Sequence, residues 1–141
     1  MNEENSKIQV PEHAIDKETA ENEFDRWTKA MKIKMNRFRN TNDKSDLEED
    51  KALVVELIMD GTVTLDDERR MVYHSEEGKQ FTFYRPKGQQ LAEIDKVKET
   101  DKVKQSYALA GAITRTSAKS ISELYTSEVI EMGTIASLFL V

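Results

Sequence analysis

The sequence predicts an α+β chain, mostly helical, in which about five helices surround a small antiparallel sheet of two or three strands. Three observations carry that prediction. Apolar residues recur at spacings of three and four on both sides of the middle of the chain, the signature of helices with one buried face. Between Val63 and Tyr84 the period changes to alternation, the signature of strands. Gly61, Gly78, Pro86 and Gly88 fall at the seams between these stretches, where turns are needed.

Residues 1–15 show scattered apolar positions, a proline and no period, and are expected to form a flexible arm ahead of a single domain spanning 16–141. The first helix begins after Asp16, a suitable cap, and its stripe is Phe24, Trp27, Met31, Met35 and Phe38. Glu18, Glu21 and Glu23 lie near its positive end, whereas Lys29, Lys32, Lys34, Arg37 and Arg39 gather toward the other, as the helix dipole favours. Asn40 to Lys44 reads as a loop. Ser45-Asp46-Leu47-Glu48 has capping-box spacing and opens a second helix to about Met59, burying Leu47, Val54, Leu57 and Ile58. Asp60-Gly61 ends it.

Val63 and Leu65 alternate with threonines in a short strand, and Met71 to His74 and Gln80 to Tyr84 form two more, joined across Ser75-Glu76-Glu77-Gly78. Phe81 and Phe83 share a face, and Pro86 closes the last strand. Helical spacing then returns in Leu91, Ile94 and Val97 and again in Val103, Tyr107 and Ala110, with Thr100 as a cap between the two runs. Ser120 and Glu123 frame a short helix. Thr126 caps a terminal one, with Tyr125 and Ile130 spaced as a hydrophobic staple.

That terminal helix has more apolar surface than one stripe requires. Met132, Ile135, Leu138 and Phe139 make the stripe, while Ile130, Leu140 and Val141 lie off it. Such a helix is either buried on two sides in a small bundle or covered by a partner.

Composition excludes several kinds of function. The chain has no cysteine, so it lacks thiolate nucleophiles and Cys-based zinc sites and suits a reducing cytosol. It has two histidines, His13 in the arm and His74 beside a hairpin turn, too few and too far apart for a zinc site. No nucleophile elbow, phosphate-binding glycine loop or dinucleotide fingerprint occurs. The acidic groups Asp46-Glu48-Glu49-Asp50 and Asp66-Asp67-Glu68 do not match a calcium loop and read as solvated surface. No enzyme activity and no cofactor are expected. The polar, acidic start predicts no signal peptide, and no apolar run approaches the roughly 18 residues of a membrane span. A net charge of −6 disfavours nucleic acid, for which the basic run Lys29 to Arg39 is the sole candidate.

The order of segments resembles a family. An acidic start precedes Phe24-x-x-Trp27-x-x-Ala30-Met31; then come Leu53-Val54, Ile58 and Gly61 and a hairpin ending Phe81-Thr82-Phe83-Tyr84-Arg85-Pro86-x-Gly88. A helix with Leu91 and Asp95 follows, then Tyr107-Ala108-x-Ala110 and the ending Ile135-Ala136-x-Leu138-Phe139-Leu140. Over residues 20–141 this resembles the tail assembly chaperones of long-tailed bacteriophages and prophages. Thr114-Arg115-Thr116-Ser117 departs from the glycine or proline turn such chaperones carry between their last helices.

The resemblance implies a non-catalytic protein of the host cell cytoplasm. It would bind the long helical tape measure protein and keep it soluble while tail tube subunits assemble around it. The tail tube protein is a second implied partner, and self-association is left open. The expected contact residues are Ile130, Leu138, Phe139, Leu140 and Val141, with Trp27 and Met31 as a second set. The alternatives are a structural virion component of the tail tube, connector or baseplate and, after that, a small nucleic-acid-binding regulator.

Overall fold

The computed structural model describes residues 14–35, 41–89, Ala92 and residues 102–140. Among these are five helices and one three-stranded antiparallel sheet. The helices are α1 (Lys17–Met31), α2 (Thr41–Asp60), α3 (Lys102–Thr114), α4 (Ala118–Ser122) and α5 (Thr126–Leu138). The strands are β1 (Val63–Leu65), β2 (Met71–His74) and β3 (Gln80–Thr82).

Asp16 caps α1 as expected, its Oδ1 accepting the Thr19 backbone N–H at 2.8 Å. Hydrogen bonding from the Thr19 side chain, and then from its backbone, holds the Asp16 carboxyl below the usual carboxylate range. Ala20, Phe24, Trp27 and Met31 are buried along one stripe. The helix stops earlier than the apolar spacing suggests. Lys32 adopts a left-handed conformation (φ 59°), and the Ile33 N–H returns to the Thr28 carbonyl at 2.9 Å. Ile33 and Met35 therefore reach the core from this turn and not from a further helical turn. Phe38 lies outside the described residues.

Helix α2 already includes Thr41, about one turn before the Ser45-Asp46-Leu47-Glu48 signal, so that signal lies inside the helix. No glycine or proline stands between Asn40 and Ser45 to halt it there. Gly61, at φ +83°, ends α2 and lets the chain turn into β1. The Ala14 N–H donates to the Met59 carbonyl, and Ile15 packs against the core, so the last two residues of the predicted arm are fastened to the end of α2.

Strands β1 and β2 pair through Val63 with Tyr73 and Leu65 with Met71, and β3 adds Phe81 opposite Tyr73. Val63, Met71, Tyr73, Phe81 and Phe83 turn their side chains to the core, whereas Thr64 and His74 meet on the outer face through a 2.8 Å hydrogen bond. The pairing ends sooner than the predicted Tyr84. Phe83 still donates to Met71, but the Tyr84 N–H donates to the Ile113 carbonyl at 3.0 Å, tying this segment to the end of α3.

The stripe Leu91, Ile94, Val97 and the cap at Thr100 lie outside the described residues. In the last third, two cap assignments are corrected. Ser117, not Ser120, opens α4, its Oγ accepting the Ser120 N–H at 3.0 Å. Tyr125, not Thr126, is the residue before α5, and the Glu128 carboxylate accepts its N–H at 3.1 Å. Buried residues of all these layers join one apolar cluster around Phe24, Trp27, Met71, Tyr73 and Phe83. Trp27 is fully enclosed, with Phe24 at 5.7 Å and Phe139 edge-on at 5.3 Å between ring centroids. Its Nε1 has no hydrogen-bond acceptor.

Candidate functional site

Helix α5 is held on one side and open on the other. Its held side presents Val129, Met132, Ile135, Ala136 and Leu138 to α2 and α3. Two glutamates fasten the sheet side. Glu128 Oε2 accepts the Glu76 backbone N–H at 2.7 Å, and Glu131 Oε1 accepts the Tyr73 hydroxyl at 2.5 Å. Both charges of α5 are thus spent on the sheet, and the opposite face carries no ionisable side chain.

Along that opposite face runs a groove of about 400 Å³ between α3 and α5. Ser106 and Tyr107 form one wall; Thr126, Val129, Gly133 and Ser137 form the other, with Ile130 and Thr134 on the rim. Thr126, Ile130, Gly133 and Ser137 follow spacings of four, three and four, so they share one side of the helix. Ile130 is 61% exposed, one of three large hydrophobic residues exposed among those described, with Tyr125 and Leu140. Its Cβ-branched body stands beside small residues, which leave room for apolar side chains from another chain.

The predicted contact residues separate into two groups. Ile130 and Leu140, the latter 51% exposed, are accessible. Phe139 is half-buried against Trp27, while Leu138, Trp27 and Met31 are enclosed in the core and cannot meet a partner without opening the fold. The reason is geometric: Leu138 belongs to the core stripe of α5, and Trp27 and Met31 to that of α1. Val141 lies outside the described residues. Tyr125 and Ile130 do not close as a staple, since Tyr125 is also 53% exposed.

The groove itself was hidden in the sequence because small residues are interleaved with its apolar ones and break any continuous apolar run. Thr126, Gly133 and Ser137 form a line of small residues on α5, which was the available signal. Ser106 and Tyr107 join only through the packing of α3 on α5.

Other clusters are accounted for by local structure. Burial pushes the Asp66 carboxyl up, but hydrogen bonds from the Arg70 and Glu68 backbone and the Arg70 guanidinium outweigh it and hold it low. Burial, with Asp46 and Glu49 nearby, pushes Asp50 up. Among the described residues no three His, Asp or Glu side chains are grouped to hold a metal ion, and no helix is long and apolar enough to cross a membrane. Comparisons with protein-family models, with curated proteins and with solved structures find no match for this chain.

Proposed function

We propose that this chain is a bacteriophage tail assembly chaperone, which holds an apolar stretch of a tape measure protein helix in the α3–α5 groove and keeps that protein soluble. The observation that carries the reading is Ile130, exposed on the rim of an uncharged groove while the charges of α5 are committed to the sheet. A helix laid into a groove is anchored by apolar side chains at i, i+3, i+4 and i+7. The part of the groove on α5, from Thr126 to Ser137, is about 16 Å long, room for three turns of such a helix. A charged exterior, with 48 ionisable Asp, Glu, Lys and Arg residues in the chain, would keep the complex in solution.

Co-expression with a tape measure protein tests the reading. Wild type is expected to bring that protein into a soluble complex, and Ile130→Asp to lose it while retaining native unfolding behaviour. Equal recovery by both would reject the groove as the contact. Stoichiometric presence of the chain in purified particles would favour a virion component instead.

A further inference from the structure

The three large hydrophobic residues left exposed among those described, Tyr125, Ile130 and Leu140, all lie on α5 or at its ends. Two of them belong to one seam. Ile130, Gly133, Ser137 and Leu140 follow spacings of three, four and three, which keep them on one side of a helix. The winding continues past the last helical residue, because the Phe139 and Leu140 N–H groups donate to the Ala136 and Ser137 carbonyls. Along its length the seam runs large, small, small, large, and it is symmetric about the level of Ile135.

A two-fold axis at that level, with a second α5 running antiparallel, sets Ile130 opposite the other copy's Leu140 and Gly133 opposite its Ser137, and then repeats both pairs. Each exposed aliphatic side chain thereby meets another, and the small residues between them let the two helices approach closely. A parallel pairing would match sizes too, but it sets like ends of the two helix dipoles side by side. The hydroxyls of this face are already satisfied. Ser137 Oγ donates to the Thr134 carbonyl at 2.8 Å and Thr134 Oγ1 to the Ile130 carbonyl at 2.9 Å, so both protons keep their acceptors when water leaves. Charge favours the same place. Two copies of a chain of net charge −6 repel, and this side of α5 carries neither of the helix's glutamates, which are bound to the sheet.

We propose that a second copy of this chain docks antiparallel on α5 across this axis and closes the α3–α5 groove until a partner helix replaces it. The replacement step rests on the tape measure reading; the self-pairing does not. A single helix pressed on its copy makes an interface at the small, reversible end of the range, so the pair forms at high concentration and separates on dilution. Ile130 and Leu140 are covered in the meantime, which limits nonspecific association of an exposed apolar strip.

Sedimentation equilibrium of the chain alone, at concentrations up to about 100 μM, tests the assignment. Wild type is expected to form dimers and no larger species, because a two-fold contact closes on itself. Ile130→Asp and Leu140→Asp are each expected to raise the dissociation constant at least about tenfold, whereas Tyr125→Ser, off the seam, changes it less than about twofold. Matching urea unfolding confirms that each variant is folded. An equimolar mixture of Ile130→Asp with Leu140→Lys should associate more tightly than either variant alone, since only the mixed pair sets Asp against Lys and keeps one Ile130–Leu140 contact. A wild type that stays monomeric at about 100 μM, equal weakening by Tyr125→Ser and Ile130→Asp, or no gain in the mixture would each overturn the proposal. No tape measure protein enters this measurement, so its outcome and that of the co-expression test are read separately.

Discussion

Glu128, in the first turn of the terminal helix, accepts the backbone N–H of Glu76 at 2.7 Å and so fastens α5 to the turn between β2 and β3. The link joins elements 52 residues apart through a side chain that is only 3% exposed. Its other oxygen accepts the Tyr125 N–H, so one carboxylate both caps the helix and seats it.

Removing that carboxylate should therefore cost more than a surface glutamate does. Glu128→Ala leaves two backbone donors without their acceptor and is expected to destabilise the fold by about 1–3 kcal/mol. Urea unfolding followed by the emission of Trp27, the single tryptophan and fully buried, reads this directly. A loss within the range of ordinary surface substitutions, about 0.5 kcal/mol, would show that the link is incidental.

Tyr73 makes the partner bond to Glu131, and its pH behaviour has a definite sign. Burial, then the hydrogen bond to Glu131, pushes the phenol pKa above its ordinary value. The folded state thus favours the neutral phenol. Its contribution is fully present below the unfolded value, about 10, and is lost as pH climbs from there toward the folded value. Tyr73→Phe is expected to cost about 1–2 kcal/mol at pH 7. That gap should shrink above about pH 10, because only the wild type has this phenol to ionise. Parallel stability curves for the two proteins across the alkaline range would contradict the assignment.

How much of this could be read before folding depends on the range of the interaction. Asp16 as a cap, Gly61 as a stop and the alternation of Val63, Met71 and Tyr73 are local, and local chemistry determined them. The early end of α1 was not visible, because its apolar spacing continues through Met35 while the chain has already turned at Lys32. On α5 the apolar spacing already put Leu138 on the stripe and Ile130 off it, but it could not tell that Leu138 is closed to a partner while Ile130 stays open. That assignment needs the positions of α2 and α3. The Tyr84 ring is the extreme case, since Arg70 and Arg115 meet on it only through the bond that ties the hairpin to the end of α3.

The end of the chain offers a sharper test of which apolar residues are structural. Phe139 packs edge-on against Trp27 and Leu138 is fully buried, while Leu140 is exposed. Deleting residues 140–141 should leave urea stability within about 0.5 kcal/mol of wild type. Deleting 138–141 removes two side chains from the core and should cost about 4 kcal/mol or more, enough to threaten folding of a domain this small. Only the shorter deletion can report on partner binding. Similar losses from the two would mean that the fold depends on residues beyond Phe139 and would contradict this assignment.

Two helical glycines should respond to the same substitution with opposite signs. A Cβ on Gly111 would lie 3.1 Å from the Thr116 carbonyl oxygen and 3.3 Å from the Ala118 nitrogen. Those atoms are backbone, fixed by the bond from Thr116 N–H to the Gly111 carbonyl at 2.8 Å, and cannot move aside cheaply. Gly111→Ala is accordingly expected to lose about 1–3 kcal/mol despite the better helix propensity of alanine. At Gly133 the nearest atom is the Ser106 Cβ at 3.9 Å, ordinary contact, and Gly133→Ala should gain about 0.5–1 kcal/mol. Gly133 also lines the α3–α5 groove, so the added methyl narrows the place proposed for the partner helix. A more stable protein that captures less of its partner would tie the glycine to docking; unchanged capture would place the contact elsewhere on the surface.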